Sequence, residues 1–256
     1  MMIKEQDQIR RDSTIREHFS GNTELYVDKY ESSYRELCRN RLDFVDRYLR
    51  ELNREDLAIL DVGGGAGVFI DMFLERFPKA RACCADFSSG MLDRNKRAPS
   101  KALVAADARA LPFRPASFDV IDLDALLHHV ISDGGYLHTI DGIAEVLASL
   151  RRLLKPNGLL LIREIYHEYI LKDNLGSYLL YTVTTRRMPA MATTALKRLG
   201  VNTANVGVCF LTRRQWSKAL ARAGYTLLES RESRWHSSRY RYAGFLNSGD
   251  LFYVLR

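Results

Sequence analysis

The chain has 256 residues, 46% of them apolar, and a formal net charge of +7. That length holds one sizeable α/β domain with additions and is too short for two full domains. No apolar run is long enough to span a membrane, and the charged opening MMIKEQDQIRRDS has no leader-like apolar core, so a cytoplasmic protein is expected.

Residues 1–53 read as a helical segment, with Leu42–Leu49 as an amphipathic piece. Strand and helix signals then alternate through 54–256. Ala58–Val62 is a short apolar strand. Val68–Phe77 repeats apolar residues at helical spacing and stops at Pro78. Arg81–Asp86 reads as a second strand, with Ser88 as the N-cap of the helix after it. Ala102–Ala106 and Phe118–Leu123 are a third and a fourth strand. Ile140–Leu154 is a long amphipathic helix ending in the turn Lys155-Pro156-Asn157-Gly158. Leu159–Ile162 is a fifth strand, apolar as a parallel strand covered on both faces should be. Residues 166–210 break the rhythm and are long for a strand-to-helix connection; they read as a helical cap insertion. Thr212 caps a helix that ends at Gly224, and Tyr225–Leu228 and Leu251–Leu255 are the last strands. The pattern predicts a doubly wound, seven-stranded, mostly parallel Rossmann-like sheet that binds ligands outside its C-terminal strand ends.

Cys38, Cys83, Cys84 and Cys209 form no CxxC pair and read as reduced, buried side chains, so no zinc site is expected. The basic charge comes from 29 Arg and 9 Lys. It suits nucleic acid, anionic lipid or phosphorylated substrates, and a codon bias toward Arg accounts for it equally well.

The first strand runs into the glycine turn of Ile59–Phe69, ILDVGGGAGVF. Glycine accepts positive φ and lets a ligand reach the backbone with no Cβ in the way. A strand, a glycine turn and a helix start also gather N–H groups, which suits a phosphate or a carboxylate. A dinucleotide site needs G-x-G-x-x-G, and here the third small residue is replaced by Val68 or Ile70. Asp61, just before the loop, would repel a pyrophosphate. An amino-acid zwitterion suits both the acid and the amides.

With this turn the sequence resembles the class I S-adenosylmethionine-dependent methyltransferases, in the branch of the ubiquinone and menaquinone methyltransferases. The resemblance covers about residues 24–165, and 211–256 more weakly. It rests on five motifs in order: Leu60–Gly67, Ala85–Leu92, Ala106–Phe113, Phe118–Ile121 with Leu127-His128-His129-Val130, and Leu153–Gly158. It implies S-adenosylmethionine as cofactor. Asp61, Gly63, Gly65 and Gly67 would make room for the methionine part, with the loop amides facing its carboxylate. Asp86 would take both ribose hydroxyls, since a carboxylate accepts two donors at once. Phe87 would lie against the adenine, with Met91 in the same motif, and Asp107 or the Ala108 amide would read the adenine edge. Asp122 and Asp124 share one strand face, and Asp124 is the one assigned to the cofactor.

Methyl transfer asks mainly for in-line positioning, and for a base only where the acceptor keeps its proton at neutral pH. The chain lacks the Asn/Asp-Pro-Pro-Tyr/Phe tetrapeptide of adenine and glutamine methylators, the Pro-Cys of cytosine C5 methylators and the Asp-Asn pair of metal-dependent catechol methylators. The expected acceptor is a hydroxyl or activated carbon of a secondary-metabolite or quinone-like small molecule, with no metal. His128 and His129 are the candidate bases, unless they only shape the site. Tyr26, Arg163, Tyr166 and His167 are candidate acceptor contacts. Tyr26 matches a family aromatic that closes over the cofactor. Arg163 is either an anion binder or half of a surface pair with Glu164. The stretch Arg231–Tyr242 interleaves basic and aromatic residues as RNA binders do, so an RNA methyltransferase is one alternative. A non-methylating enzyme or a regulatory protein that binds the cofactor is another. A monomer or homodimer is expected.

Overall fold

The computed structural model describes residues 2–21, 31–169, 173–186, 189, 191, 193, 206–235 and 245–256. Seven strands, β1 (Ala58–Val62), β2 (Arg81–Asp86), β3 (Lys101–Ala105), β4 (Phe118–Asp124), β5 (Leu154–Tyr169), β6 (Leu227–Arg234) and β7 (Phe245–Leu255), form one sheet. Their order is β3-β2-β1-β4-β5-β7-β6. The first five are parallel, and β7 enters antiparallel between β5 and β6. The expected doubly wound, mostly parallel α/β fold is therefore present.

The helices are α1 (Met2–Gly21), α2 (Glu31–Glu51), α3 (Val68–Arg76), α4 (Ser89–Asp93), α5 (Tyr136–Leu153), α6 (Asp173–Thr185) and α7 (Arg213–Arg222). Successive strand residues face opposite sides of the sheet, and each side has its own core. On one, α2 and α3 bring Leu42, Leu49, Phe69 and Phe73 against Ile59, Val120 and Leu161. On the other, α5 and α7 bring Leu147, Leu150, Trp216 and Leu220 against Leu60, Ile121 and Ile162. Each large side chain so buried contributes about 1.5–3 kcal/mol. The α7 start is a capping box: Thr212 accepts from the Gln215 amide, and the Gln215 side chain accepts from the Thr212 amide.

Several boundaries differ from the sequence reading, among them those of the last two strands, which are Leu227–Arg234 and Phe245–Leu255 in place of Tyr225–Leu228 and Leu251–Leu255. The helix placed at Ile140 begins one turn earlier, at Tyr136. β5 does not stop at Ile162 but continues to Tyr169, because β7 lies alongside and pairs with it from Leu160 to Tyr169. Residues 166–169 are thus strand, α6 follows, and residues 194–205 of the expected cap lie outside the described residues. Gly176 of α6 fits against the Tyr169 ring, which a Cβ there would strike at 2.0 Å. The turn at 155–158 survives as an irregularity inside β5, with Asn157 at φ +64°.

Candidate active site

In the sheet order, β1 lies between β2 and β4, so the crossovers leave it in opposite directions and open a crevice at the C-terminal strand ends. A cavity of about 510 Å³ fills that crevice. At one end is the glycine turn. Gly63, Gly65 and Gly67 have φ of +73°, +52° and +81°, a region where a side chain is strained. A Cβ on Gly67 would lie 2.5 Å from the Asn95 amide, and one on Gly64 would lie 2.3 Å from Asp61 Oδ2. The loop is thus pressed onto the side chains behind it, and its open side lines the cavity. Three of its amides are used within the protein. Gly63 N–H donates to Ala85 O at 2.7 Å, Gly65 N–H to Asp86 Oδ2 at 3.0 Å and Gly67 N–H to Gly64 O at 2.9 Å. These glycines provide space and shape rather than free donors. From behind, Asn95 donates to Gly65 O at 2.8 Å and accepts from the buried Lys101, which also pairs with Asp71 of α3.

Asp86 ends β2. Its Oδ2 takes the Gly65 amide and its Oδ1 the Ser88 amide at 2.7 Å. Each oxygen keeps capacity for a further donor, as two ligand hydroxyls require. Burial raises its pKa, against the pull of those two amides. Phe87, Met91, Asp107 and Ala108 line the same end of the cavity. Arg16 of α1 lies over the Phe87 ring at 4.3 Å. The Asp107 carboxylate is held by Arg109, which also reaches Asp12 of α1 at 2.7 Å. Asp61 does not line the cavity. It is 2% exposed, beneath Gly64, and faces Asp122 across β1 and β4. Burial, then the Asp122 charge, hold its pKa well above the usual carboxylate range.

At the other end charges replace glycines. Asp122 and Asp124 share a face of β4, and both meet Arg41 of α2, at 2.5 and 2.7 Å. Asp124 also accepts from Tyr34 at 2.7 Å and pairs with Arg163 of β5. Arg163 continues to Asp250, which accepts from the Trp235 indole. The two acids diverge. Burial opposes ionisation of both, but Arg163 and Arg41 together hold Asp124 below its ordinary value. Asp122 has one guanidinium partner and an Oδ2 with no hydrogen-bond partner among the described residues, and burial pushes it up to about 6. Arg163 is thus neither a surface pair with Glu164 nor an open anion site: two carboxylates engage it, although it still borders the cavity.

His128 and His129 sit on a short 3-10 turn, Leu127–His129, just past β4, and both line the cavity. Glu164 of β5 is fully buried; its Oε1 accepts the Leu127 amide at 2.6 Å and its Oε2 contacts His128 Nδ1 at 2.9 Å. Phe210 stacks on the His128 ring with centroids 4.7 Å apart. His129 packs edge-on to Phe19 of α1, and its buried Nδ1 has no partner among the described residues. Burial, then His128, pull its pKa well below the ordinary histidine value. Leu126, Val130, Ile131, Ile165 and Phe210 make this end of the cavity apolar.

Two expected acceptor contacts lie elsewhere. The Tyr166 hydroxyl donates to Glu232 at 2.5 Å, and His167 bonds Ser248 at 2.7 Å; neither lines the cavity. The reason is the continuation of β5, which locks both into the sheet beside β7. Tyr26 lies outside the described residues. Gly64, Asn95, Arg41, Glu164 and Phe210 were not singled out as site residues by their sequence. Gly64 had a signal in the glycine run, and Glu164 was considered only as a surface partner of Arg163; Asn95, three residues past the second motif, and Arg41 and Phe210, outside the motifs, carried no signal.

Residues 60–162 match a family model described as a methyltransferase domain. The ubiquinone/menaquinone biosynthesis C-methyltransferase UbiE of Paracoccus denitrificans is 36% identical over 118 residues, 43% of each chain. The match thus spans less than half of that relative. A malonyl-[acyl-carrier protein] O-methyltransferase of Halalkalibacterium halodurans is 26% identical over 213 residues, 81% of this chain and 69% of the relative. Among solved structures, a sarcosine dimethylglycine methyltransferase, so described, from Galdieria sulphuraria superposes with a TM-score of 0.58 at 13% identity, over 85% of each chain. Residues 60–162 are thus similar to the class I S-adenosylmethionine-dependent methyltransferases, and to the ubiquinone/menaquinone C-methyltransferases among them. The cavity fits that cofactor: a glycine cradle held close against the side chains behind it, then a carboxylate with room for two hydroxyl donors.

Proposed function

We propose that the protein methylates a hydroxyl or activated carbon of a small, largely apolar molecule. One observation carries the reading: a single cavity joins the glycine cradle and Asp86 to an apolar lobe walled by Ile131, Ile165 and Phe210, with His128 beside it. Gly63, Gly65, Gly67 and Asp86 would hold S-adenosylmethionine, with Phe87, Met91, Asp107 and Ala108 around its base. When bound, the cofactor supplies a methyl group on a sulfonium. The apolar walls hold an acceptor ring and exclude water, and a histidine at the turn past β4 takes the proton that the acceptor gives up. The two relatives are named a C- and an O-methyltransferase, in keeping with either acceptor atom.

The basic stretch from Arg231 supports the small-molecule reading over RNA. In its described part Arg231 lies over the Phe44 ring, Arg234 bonds Glu232 and Trp235 bonds Asp250. The test is incubation with methyl-labelled S-adenosylmethionine and a host extract, then separation of small molecules from RNA and protein. Label in an organic-soluble compound is expected. Label in RNA alone, or none despite calorimetric binding of the cofactor, would overturn the reading.

A further inference from the structure

The buried carboxylate Glu164 has no part in the cofactor cradle, yet it makes two contacts with the turn that carries the histidines. Its Oε1 accepts the Leu127 amide and its Oε2 meets His128 Nδ1 at 2.9 Å. The Ile165 amide also points to Oε2, at 3.3 Å. A carboxyl group that meets two amides acts as an acceptor toward both, so the imidazole is the donor in the third contact. That places the His128 proton on Nδ1 and leaves Nε2 with its lone pair. Among the described residues nothing hydrogen-bonds Nε2, and the ring borders the cavity. Phe210, stacked on the ring, fixes its plane.

We infer that Glu164 is the positioning residue that makes His128, and not His129, the proton acceptor of the reaction, through the Nδ1 contact and the tautomer it sets. The inference rests on the methyl-transfer reading. In the step, the acceptor atom gives its proton to Nε2 and bonds the methyl group as the methyl–sulfur bond of the sulfonium would break, its electron pair staying on sulfur as a neutral thioether; the positive charge remains as imidazolium, which Glu164 faces, and the proton then passes to solvent. His129 has no such partner. Its Nδ1 is buried without a hydrogen bond among the described residues, its ring also meets the Gly207 backbone, and burial disfavours its charged form. The titratable groups facing His128 are Glu164 and His167 from β5 and His129 beside it, with His18 of α1 facing His129.

The substitution Glu164→Gln tests this with a specific sign. The Leu127 amide demands an acceptor, so the glutamine oxygen takes that side and its NH2 turns toward Nδ1. His128 is then driven to the Nε2–H tautomer, which cannot accept a proton at Nε2. The first readout is a long-range ¹H–¹⁵N histidine spectrum of the protein without ligands, at about pH 8, above the ordinary histidine range. Wild type should show His128 as Nδ1–H, and Glu164→Gln should show Nε2–H. With an acceptor, Glu164→Gln should lose about 100-fold or more in kcat, at unchanged affinity for S-adenosylmethionine. His128→Gln should lose as much, and the double variant no more than either. An Nε2–H signal for His128 in wild type, or a Glu164→Gln variant with tautomer and kcat both unmoved, would overturn the assignment. If Glu164→Gln does not fold, the wild-type tautomer decides alone. Because the spectrum needs neither cofactor nor acceptor, its failure is distinct from failure of the methyl-transfer reading.

Discussion

The end of the cavity at β1 and β2 is shaped by what side chains leave out, whereas the end at β4 and β5 is shaped by charges brought in from afar. Around the glycine turn, most contacts join residues 61 to 109, with α1 and Leu126 added at the rim, and the controlling facts are positive φ angles and missing Cβ atoms. Around β4, Tyr34 and Arg41 meet Asp124 from 90 and 83 positions away, and Arg163 meets Asp250 from 87. The first end is built mostly within one short segment. The second exists only once α2, β4, β5 and β7 have assembled.

The strongest way to break the contrast is Arg41→Met. It leaves Asp122 and Asp124 buried without their shared cation, and should cost about 3–5 kcal/mol of stability, a fall in Tm of about 10 °C. An unchanged Tm would mean that the charged end does not depend on that pairing. At the other end, Gly67→Ala places a Cβ against Asn95 in a left-handed backbone. Strain of about 1–3 kcal/mol should appear chiefly as about 10- to 100-fold weaker cofactor binding by calorimetric titration.

A pH series sharpens the electrostatic side. Burial holds the proton on Asp122 up to about 6 in the folded protein, against about 4 in the unfolded chain. Between those values the folded state binds more protons, so Asp122 makes stability fall as pH rises from about 4 to about 6. The Asp122 share of the drop should be on the order of 2 kcal/mol; Asp61, raised by the same burial, adds a fall of the same sign, so chemical denaturation of Asp122→Asn across this window should show a smaller drop than wild type. The smallest effect belongs to a site in neither end. Thr212→Ala removes the α7 cap and should cost about 1 kcal/mol, seen in Tm, with cofactor affinity unmoved.

The same contrast decides what could be read from the chain. Glycine turns, the Ser88 and Thr212 caps and the apolar strand runs depend on neighbours within a few positions, and those elements appear where their residues imply. The glycines and Asp86 were legible for that reason. Glu164 and Arg41 were not, because burial and partners give them their meaning, and both come from distant strands and helices. Tyr166 and His167 misled for a related reason. Their residue types suit a pocket wall, but β7 extended β5 past them and turned them into sheet. Asp61 shows a subtler limit. Its place before the glycines is a motif, yet its side chain lies beneath the loop, where it forbids a Cβ at Gly64 and is shielded from the cavity.

Helix α1 rests on both ends at once. Arg16 covers Phe87 and Asp12 holds Arg109 on one side, while Phe19 meets His129 on the other. Loosening this helix should therefore open both ends of the cavity together. A substitution such as Phe19→Ala should accelerate departure from both, so that the two off-rates, followed by stopped flow, rise in concert.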